Sequence, residues 1–272
     1  MLIIILVLFG LVAGILAGML GIGGGIIFAP VLFYMFEDQG LQDPELWAIG
    51  SSLFCTMSSS LSGTLKHMQM KNIYFNESIK VAVFGVFGTI VGKAIATSPY
   101  FSQQIYIILF SLLMIYTGIN FLLKALNWEF SVQYREDSES IQWPQGLKIG
   151  AGGGIVASLA GVGGGIVLVP MMNLYYKLSF PKTVSISEYA IILISFSGAL
   201  QMALEAPETG GISSYTLGYV DFGTSFAMVI GAIFGANLGA WLHNRVNLSY
   251  LQILFACLIF FVAAMMIYDT FG

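Results

Sequence analysis

Two apolar segments, residues 2–36 and 147–176, constrain the fold of this chain more than any other feature of its sequence. A straight helix over the first of them would be about 50 Å long, whereas the hydrocarbon core of a bilayer is about 30 Å thick. Each segment contains a cluster of four glycines, at 21–25 (GIGGG) and at 161–165 (GVGGG). We therefore predict that each segment folds into a hairpin that bends at its glycines.

The composition indicates a membrane protein. The chain of 272 residues is 57% hydrophobic and 9% charged, whereas soluble domains carry about 25% charged residues. Both cysteines fall inside apolar segments, which argues against a disulfide framework or a metal site. We predict an all-α polytopic membrane protein, in the inner (plasma) membrane of a bacterium or archaeon. Besides the two long segments, the apolar segments are 46–65, 79–97, 104–124, 184–204, 222–242 and 249–269.

The charges of the loops predict an orientation, because cytoplasmic loops collect Lys and Arg. Loops 66–80, 177–183 and 243–248 contain basic residues and are assigned to the inside, as is the linker 125–146. The loop after residue 36 and loop 205–221 contain acidic residues and no basic ones, and are assigned to the outside. Segment 147–176 then enters and leaves on the inner face, and by symmetry segment 2–36 starts and ends outside.

The two halves of the chain match beyond their glycine clusters. Phe87-Gly88-x-x-x-Gly92 aligns with Phe234-Gly235-x-x-x-Gly239, and Ser62-Gly63 aligns with Ser197-Gly198. We predict an N-terminal repeat (1–124), a cytoplasmic linker (125–146) and a C-terminal repeat (147–272). Each repeat is a glycine-broken hairpin plus three transmembrane helices. This odd number of single crossings makes the repeats inverted, as in transporters whose substrate site lies at the repeat interface near the midplane.

The glycine breaks predict an anion site. The helix after each break begins with N–H groups that lack intrahelical partners and with a positive dipole end, and both features favour a small anion. The alternative is that such glycines only allow close helix packing. Hydroxyl residues of the neighbouring spans can donate to an oxyanion, or they can bond to their own helix or hold helices together. The candidate substrate-binding residues are Gly21, Gly23, Gly24, Gly25, Gly161, Gly163, Gly164, Gly165, Ser52, Thr56, Ser60, Ser187, Ser195 and Gln201.

Charges inside the predicted spans are few. Lys93 is a candidate for attracting the anion and Glu188 for carrying a coupling proton, but both lie near span ends, where Lys93 can snorkel and Glu188 can sit at the interface beside Lys182. His67 is expected to be solvated. The spans offer no paired carboxylates, no His-x-x-x-His and no Ser-His-Asp set, so we expect no enzyme, no cofactor and no metal. The expected partners are a small anion and the lipid bilayer, with no nucleic acid; a homo-oligomer is compatible with the sequence.

Several motifs together resemble one family. They are AGMLGIGGGIIFAP (17–30) and its repeat ASLAGVGGGIVLVP (157–170), the serine-rich span 51–63 followed by Lys66-His67, and the paired F-G-x-x-x-G motifs. The chain resembles the TauE/SafE-type sulfite exporters over essentially its full length. In the second half, however, Gln201 and Met202 stand where the first has Lys66 and His67, which argues against a symmetric clamp.

The resemblance implies a transporter of small sulfur-containing anions, such as sulfite or organosulfonates. The leading hypothesis is a secondary carrier, an exporter, that binds its substrate between the hairpin tips and alternates access between inverted halves. The alternatives are an anion channel on the same scaffold and, with less support from the residues, an intramembrane enzyme. The sequence leaves open whether the hairpin arms cross the membrane fully or are re-entrant.

Overall fold

The computed structural model describes residues 2–69, 74–126, 140–207, 210–242 and 248–271. Most of the predicted linker lies outside these residues, so its placement stays a prediction. In the described part, the helices are α1 (Leu2–Leu20), α2 (Gly25–Asp38), α3 (Pro44–Gln69), α4 (Phe75–Ala96), α5 (Gln103–Ala125), α6 (Trp143–Ala160), α7 (Gly165–Pro170), α8 (Phe180–Ala203), α9 (Phe222–Leu242) and α10 (Leu248–Phe271).

The prediction of an all-α polytopic membrane protein is confirmed. Six helices of the described part are long and apolar enough to cross a bilayer, namely α1, α4, α5, α8, α9 and α10. Helix α3 has 26 residues, or about 39 Å. Its hydroxyl-rich stretch from Ser51 to Ser62 lowers its hydropathy, and most of that stretch is buried against other helices rather than exposed to lipid.

Both long apolar segments are broken at their glycines, as predicted. Helix α1 ends at Leu20 and α2 begins at Gly25, while α6 ends at Ala160 and α7 begins at Gly165. Residues with a side chain pay about 1–2 kcal/mol for the left-handed conformation, and glycine avoids this cost. The positive φ angles are +71°, +80° and +80° at Gly21, Gly23 and Gly24, and +73°, +69° and +83° at Gly161, Gly163 and Gly164.

The return arms of the two hairpins differ in length. Helix α2 has 14 residues. Helix α7 has only six and continues directly into a π-helical turn, Met171–Tyr175. At about 1.5 Å per residue, α2 is about 21 Å long and α7 about 9 Å. Each is too short by itself to cross a core of about 30 Å.

Each hairpin's first arm packs along the glycine-rich helix of the other half. Gly10, Gly14 and Gly18 of α1 lie directly against the backbone of α9, at Met228, Ala232 and Ala236 in that order. The positions on both helices increase together, so α1 and α9 run parallel. In the equivalent contact, the glycines of α6 in the second half and of α4 in the first half face one another in the same parallel sense. Close backbone contact through small residues is typical of membrane helices.

The helices at equivalent places in the two halves pass each other in opposite directions. Leu53 of α3 lies against Gly198 of α8, and Gly63 of α3 lies against Glu188 of α8. Helices α5 and α10 are likewise antiparallel, since Gly118 packs against Phe260 and Phe121 packs against Phe255. Inverted repeats require this arrangement, and the division of the chain into two repeats stays a prediction that agrees with it.

A small β-hairpin covers the end of α3 that the sequence assigns to the outside. The predicted loop 205–221 contains two short antiparallel strands, β1 (Thr216–Leu217) and β2 (Val220–Asp221), which the hydropathy pattern does not reveal. Between them, the Tyr219 ring packs edge-on against Trp47, with centroids 5.4 Å apart. The buried Asp221 carboxylate accepts hydrogen bonds from the backbone N–H groups of Ser213 (2.8 Å) and Thr224 (3.0 Å), which ties the loop to the start of α9.

Candidate anion-binding site

The tips of the two hairpins meet in the interior of the protein. A methyl group placed on Gly25 would lie 2.5 Å from the Cα atom of Val162, and one placed on Gly165 would lie 2.5 Å from the Cα atom of Ile22. The two glycine clusters are fully buried. The two contacts are equivalent, because in each of them the last glycine of one cluster touches the second residue of the other cluster. In this conformation the tips are closed on each other.

Two serines hold the tips in place. The Ser52 hydroxyl of α3 donates to the Gly161 carbonyl at 2.8 Å, and the Ser187 hydroxyl of α8 donates to the Gly21 carbonyl at 2.7 Å. These two serines occupy equivalent positions in the predicted repeats. Their protons are directed to the turn that opens each glycine cluster, so the structure gives them a positioning role. Binding of substrate by these two hydroxyls stays a prediction.

Three other hydroxyls surround the tips without a hydrogen-bond partner in the described part of the chain: Thr56, Ser60 and Ser195. All three side chains are fully buried. A methyl group on Gly23 would lie 2.7 Å from Thr56 Cγ2 and 3.3 Å from Ser60 Oγ, and one on Gly163 would lie 2.8 Å from Ser195 Oγ. Thr56 contacts both tips, as does Ile191.

Lack of a partner does not by itself mark a site, because buried hydroxyls elsewhere, such as Ser111 and Ser225, share it. The hydroxyls at the tips differ because they lie beside two helix starts. The first backbone hydrogen bonds of α2 and α7 are donated by Ile27 and Val167, to the carbonyls of Gly24 and Gly164. The N–H groups that precede these donors stand at the positive dipole end of each helix. Three O–H donors and the N–H groups at the start of α2 can bind an oxyanion.

Two predicted site residues lie elsewhere. Gln201 donates to Thr89 Oγ1 at 2.8 Å and to Ser197 Oγ at 3.0 Å, which places its amide between α8 and α4. Lys93 forms an ion pair with Glu205 near the end of α8. Both side chains already have polar partners, and the structure does not bring them to the tips. Their roles in binding or attracting the anion stay predictions.

The structure corrects the expected surroundings of Glu188. Its carboxylate is not at the membrane interface beside Lys182 but is fully buried, within 3.1 Å of a methyl group placed on Gly63 of α3. The Ser60 hydroxyl lies beside it, although the pair does not have the geometry of a hydrogen bond. The Lys182 ammonium lies 5.0 Å from the ring centroid of Tyr74 instead.

The expectation that His67 is solvated is also wrong, because only 2% of its surface is exposed. The sequence missed Ile191 as well, which contacts both tips opposite Thr56. An isoleucine inside an apolar span carries no signal that separates it from its neighbours. The alignment of the two repeats could have found it, since Ile191 falls at the position equivalent to Thr56.

The fold and this site define a class of protein. Non-helical backbone deep in a membrane is tolerated only where it is buried in protein or lines a cavity. Here two broken helices meet at a buried centre with unpaired hydroxyl donors, a construction that is typical of secondary transporters. The molecule is therefore an integral membrane protein of the transporter type.

Comparison with known proteins gives the family. The model of the family described as Sulfite exporter TauE/SafE matches residues 6–266. Over 94% of its length the chain is 28% identical to a probable membrane transporter protein of Methanocaldococcus jannaschii, 91% of which is covered. It is 26% identical to the probable membrane transporter protein YunE of Bacillus subtilis, over 98% of this chain and 97% of the relative. The chain belongs to the sulfite exporter TauE/SafE family.

Proposed function

We propose that the protein is a secondary carrier that exports small sulfur-containing oxyanions, such as sulfite or organosulfonates, across the cell membrane. One observation carries the proposal: two glycine tips meet where Thr56, Ser60 and Ser195 present buried hydroxyls without partners. The family description supports the choice of a sulfur oxyanion and the direction of export. The proposed carrier has two inverted repeats, 1–124 and 147–272, joined by a cytoplasmic linker.

The geometry suits a small, compact oxyanion. A sulfonate or sulfite group offers three oxygens around one sulfur, and the three hydroxyls stand on two helices, two on α3 and one on α8. Glycine at the tips lets the backbone approach a ligand closely. Because the tips touch in this structure, an anion enters only when they separate. Separation on one side of the membrane at a time gives alternating access.

Closed tips favour a carrier over a channel, because a channel needs a continuous path for the ion. The two functions predict different fluxes in proteoliposomes. A carrier shows saturable uptake of labelled anion that is accelerated by unlabelled anion on the opposite side. Flux that does not saturate and is not trans-stimulated would favour the channel. The expectation of a homo-oligomer also stays a prediction.

The binding experiment is a thermal-unfolding titration of purified protein with sulfite, thiosulfate, sulfoacetate, sulfate, phosphate and acetate. A ligand that binds the folded state at 100 times its Kd stabilises it by about 2.7 kcal/mol. We expect stabilisation by one or more of the sulfur anions and none by acetate. We expect the Thr56→Val, Ser60→Ala and Ser195→Ala variants each to weaken this effect.

Ser58→Ala is the matched control, because the Ser58 hydroxyl on the same helix already donates to the Phe54 carbonyl at 3.0 Å. It should leave the anion effect unchanged. If no anion stabilises the wild-type protein, the proposed site is wrong. If all three site variants respond like Ser58→Ala, the anion binds elsewhere and the tips serve only for packing.

A further inference from the structure

Where α3 crosses α8, the two halves differ at the equivalent positions Leu53 and Glu188. At this crossing of α3 and α8, Leu53 lies against Gly198, and the equivalent position on the other side holds Glu188 against Gly63. A methyl group on Gly198 would be 2.8 Å from Leu53 Cδ1, and one on Gly63 would be 3.1 Å from a Glu188 carboxylate oxygen. The same pocket is therefore filled by an apolar side chain in one half and by an acid in the other.

The Glu188 carboxyl has no ion pair among the described residues. The ionisable groups of the elements packed against it lie as follows. On α3, His67 is buried one turn beyond Gly63, and Lys66 interacts with Gln69. On α4, Lys80 donates to the Ile141 carbonyl and Lys93 pairs with Glu205, while Glu77 is half-buried in the first turn. On α8 itself, Lys182 lies over Tyr74, and Tyr189 packs on Phe75.

A carboxylate without a counter-ion is very unfavourable inside a protein at membrane depth, whereas a neutral carboxyl is tolerated. The closed conformation seen here therefore favours Glu188 with a proton bound. When the tips separate and water enters, the charged form becomes accessible. The proton can then leave to, or arrive from, the side of the membrane that the open tips face.

Ser60 connects this acid to the anion site. Its hydroxyl lies beside the Glu188 carboxyl and also within 3.3 Å of a methyl group placed on Gly23 at the first tip. A charged carboxylate would repel an anion at the tips and would compete with it for the Ser60 proton. A neutral carboxyl does neither. Anion binding and proton binding therefore favour each other, and such a coupling is reciprocal.

We propose that Glu188 is the proton-binding residue of this transporter, and that one proton crosses the membrane on its carboxyl together with each anion. The inference rests on the proposed anion site at the hairpin tips. In each cycle the carboxylate takes one proton from water on the loading side and releases it to water on the other side. No other bond is made or broken.

The test uses sulfate, thiosulfate and methanesulfonate, because these anions stay fully ionised and bind no protons themselves near neutral pH. Their affinity is measured on purified protein at several pH values, and proton uptake on binding is measured by calorimetry in buffers of different ionisation enthalpy. We expect affinity to fall by up to tenfold per unit of rising pH where the carboxyl titrates. Up to one proton should be taken up per anion bound.

Glu188→Gln keeps the shape of the side chain and cannot titrate. We expect it to bind the anions without pH dependence and without proton uptake, and to exchange anions in proteoliposomes without moving protons. Glu45→Gln is the matched control: Glu45 is also buried and has an oxygen without a partner, but it lies in the first turn of α3, far along the helix from Gly63. This variant should behave like the wild type.

The outcomes separate this inference from the proposed function. Anion binding that is independent of pH in the wild type, or a Glu188→Gln variant that still takes up a proton, overturns the role of Glu188 and leaves the anion site standing. Failure of all three anions, and also of sulfite and sulfoacetate, to bind the wild type at any pH overturns both. If Glu188→Gln does not fold, the absence of proton uptake by the wild type still overturns the role of Glu188.

Discussion

Replacing Gly23 by alanine tests how tightly the hairpin tips are packed. Gly23 has a φ of +80°, a conformation that costs alanine about 1–2 kcal/mol. The new methyl group would lie 2.7 Å from Thr56 Cγ2, closer than carbon atoms pack, and such overpacking typically costs about 1–3 kcal/mol. We therefore expect Gly23→Ala to lower the free energy of unfolding by about 2–5 kcal/mol.

Two further variants separate the two contributions. Gly40 has a φ of +70°, and a methyl group placed on it meets nothing within 4 Å. Gly40→Ala should therefore show only the backbone cost, about 1–2 kcal/mol. Thr56→Ser removes the methyl group that collides and keeps the hydroxyl. When Thr56→Ser is combined with Gly23→Ala, the protein should regain the stability that was lost through overpacking. The loss caused by the backbone conformation should remain.

The assay is equilibrium unfolding of the four proteins and the Thr56→Ser single variant in mixed micelles, analysed as a double-mutant cycle. Gly23 and Thr56 should show a coupling energy of about 1–3 kcal/mol, which is the overpacking term. The reasoning is refuted if Gly23→Ala destabilises the protein no more than Gly40→Ala, or if Thr56→Ser gives no recovery. Either result would mean that the tip is not packed against α3.

Three further predictions concern the surroundings of the site. Ser52→Ala and Ser187→Ala should each destabilise the protein by about 1 kcal/mol in the same unfolding assay; a large loss from only one of them would contradict their equivalence. Gly235→Val should sharply reduce the yield of folded protein, because its side chain would enter the backbone of α1; Phe234→Val, at a neighbouring exposed position, should fold normally in a size-exclusion assay. Lys93→Gln should change the anion Kd less than twofold in the thermal titration, because the lysine is paired away from the tips; a tenfold loss would restore it as a binding residue.

The broken hairpins could be predicted because their causes are local. The length of an apolar run limits how it can cross a bilayer, and a cluster of glycines marks where the helix can stop. Because the clusters at 21–25 and 161–165 match, the same break could be predicted in both halves. The structure confirms both breaks, with matching φ angles at the corresponding glycines.

The candidate site was only partly predictable. A serine-rich helix indicates that hydroxyls are available, but their partners depend on neighbours that are distant in sequence. Ser52 and Ser187 turned out to bind tip carbonyls, whereas Ser60 and Ser195 remain without partners among the described residues. Gln201 is occupied by Thr89. The sequence makes these four hydroxyls and one amide equally plausible as donors to an anion, but their surroundings in the fold differ.

The sequence by itself determined the class of the protein, the two breaks and the opposite orientation expected for the two halves, because hydropathy, glycine placement and loop charge act locally along the chain. Only the tertiary structure decided that the first arm of each hairpin packs against a helix of the other half, α1 along α9 and α6 along α4. It also decided that the tips touch. It also moved Glu188 from an expected interface to the buried crossing of α3 and α8. The burial of a side chain and its hydrogen-bond partners depend on which helices pack together, and no single segment of the chain specifies that packing.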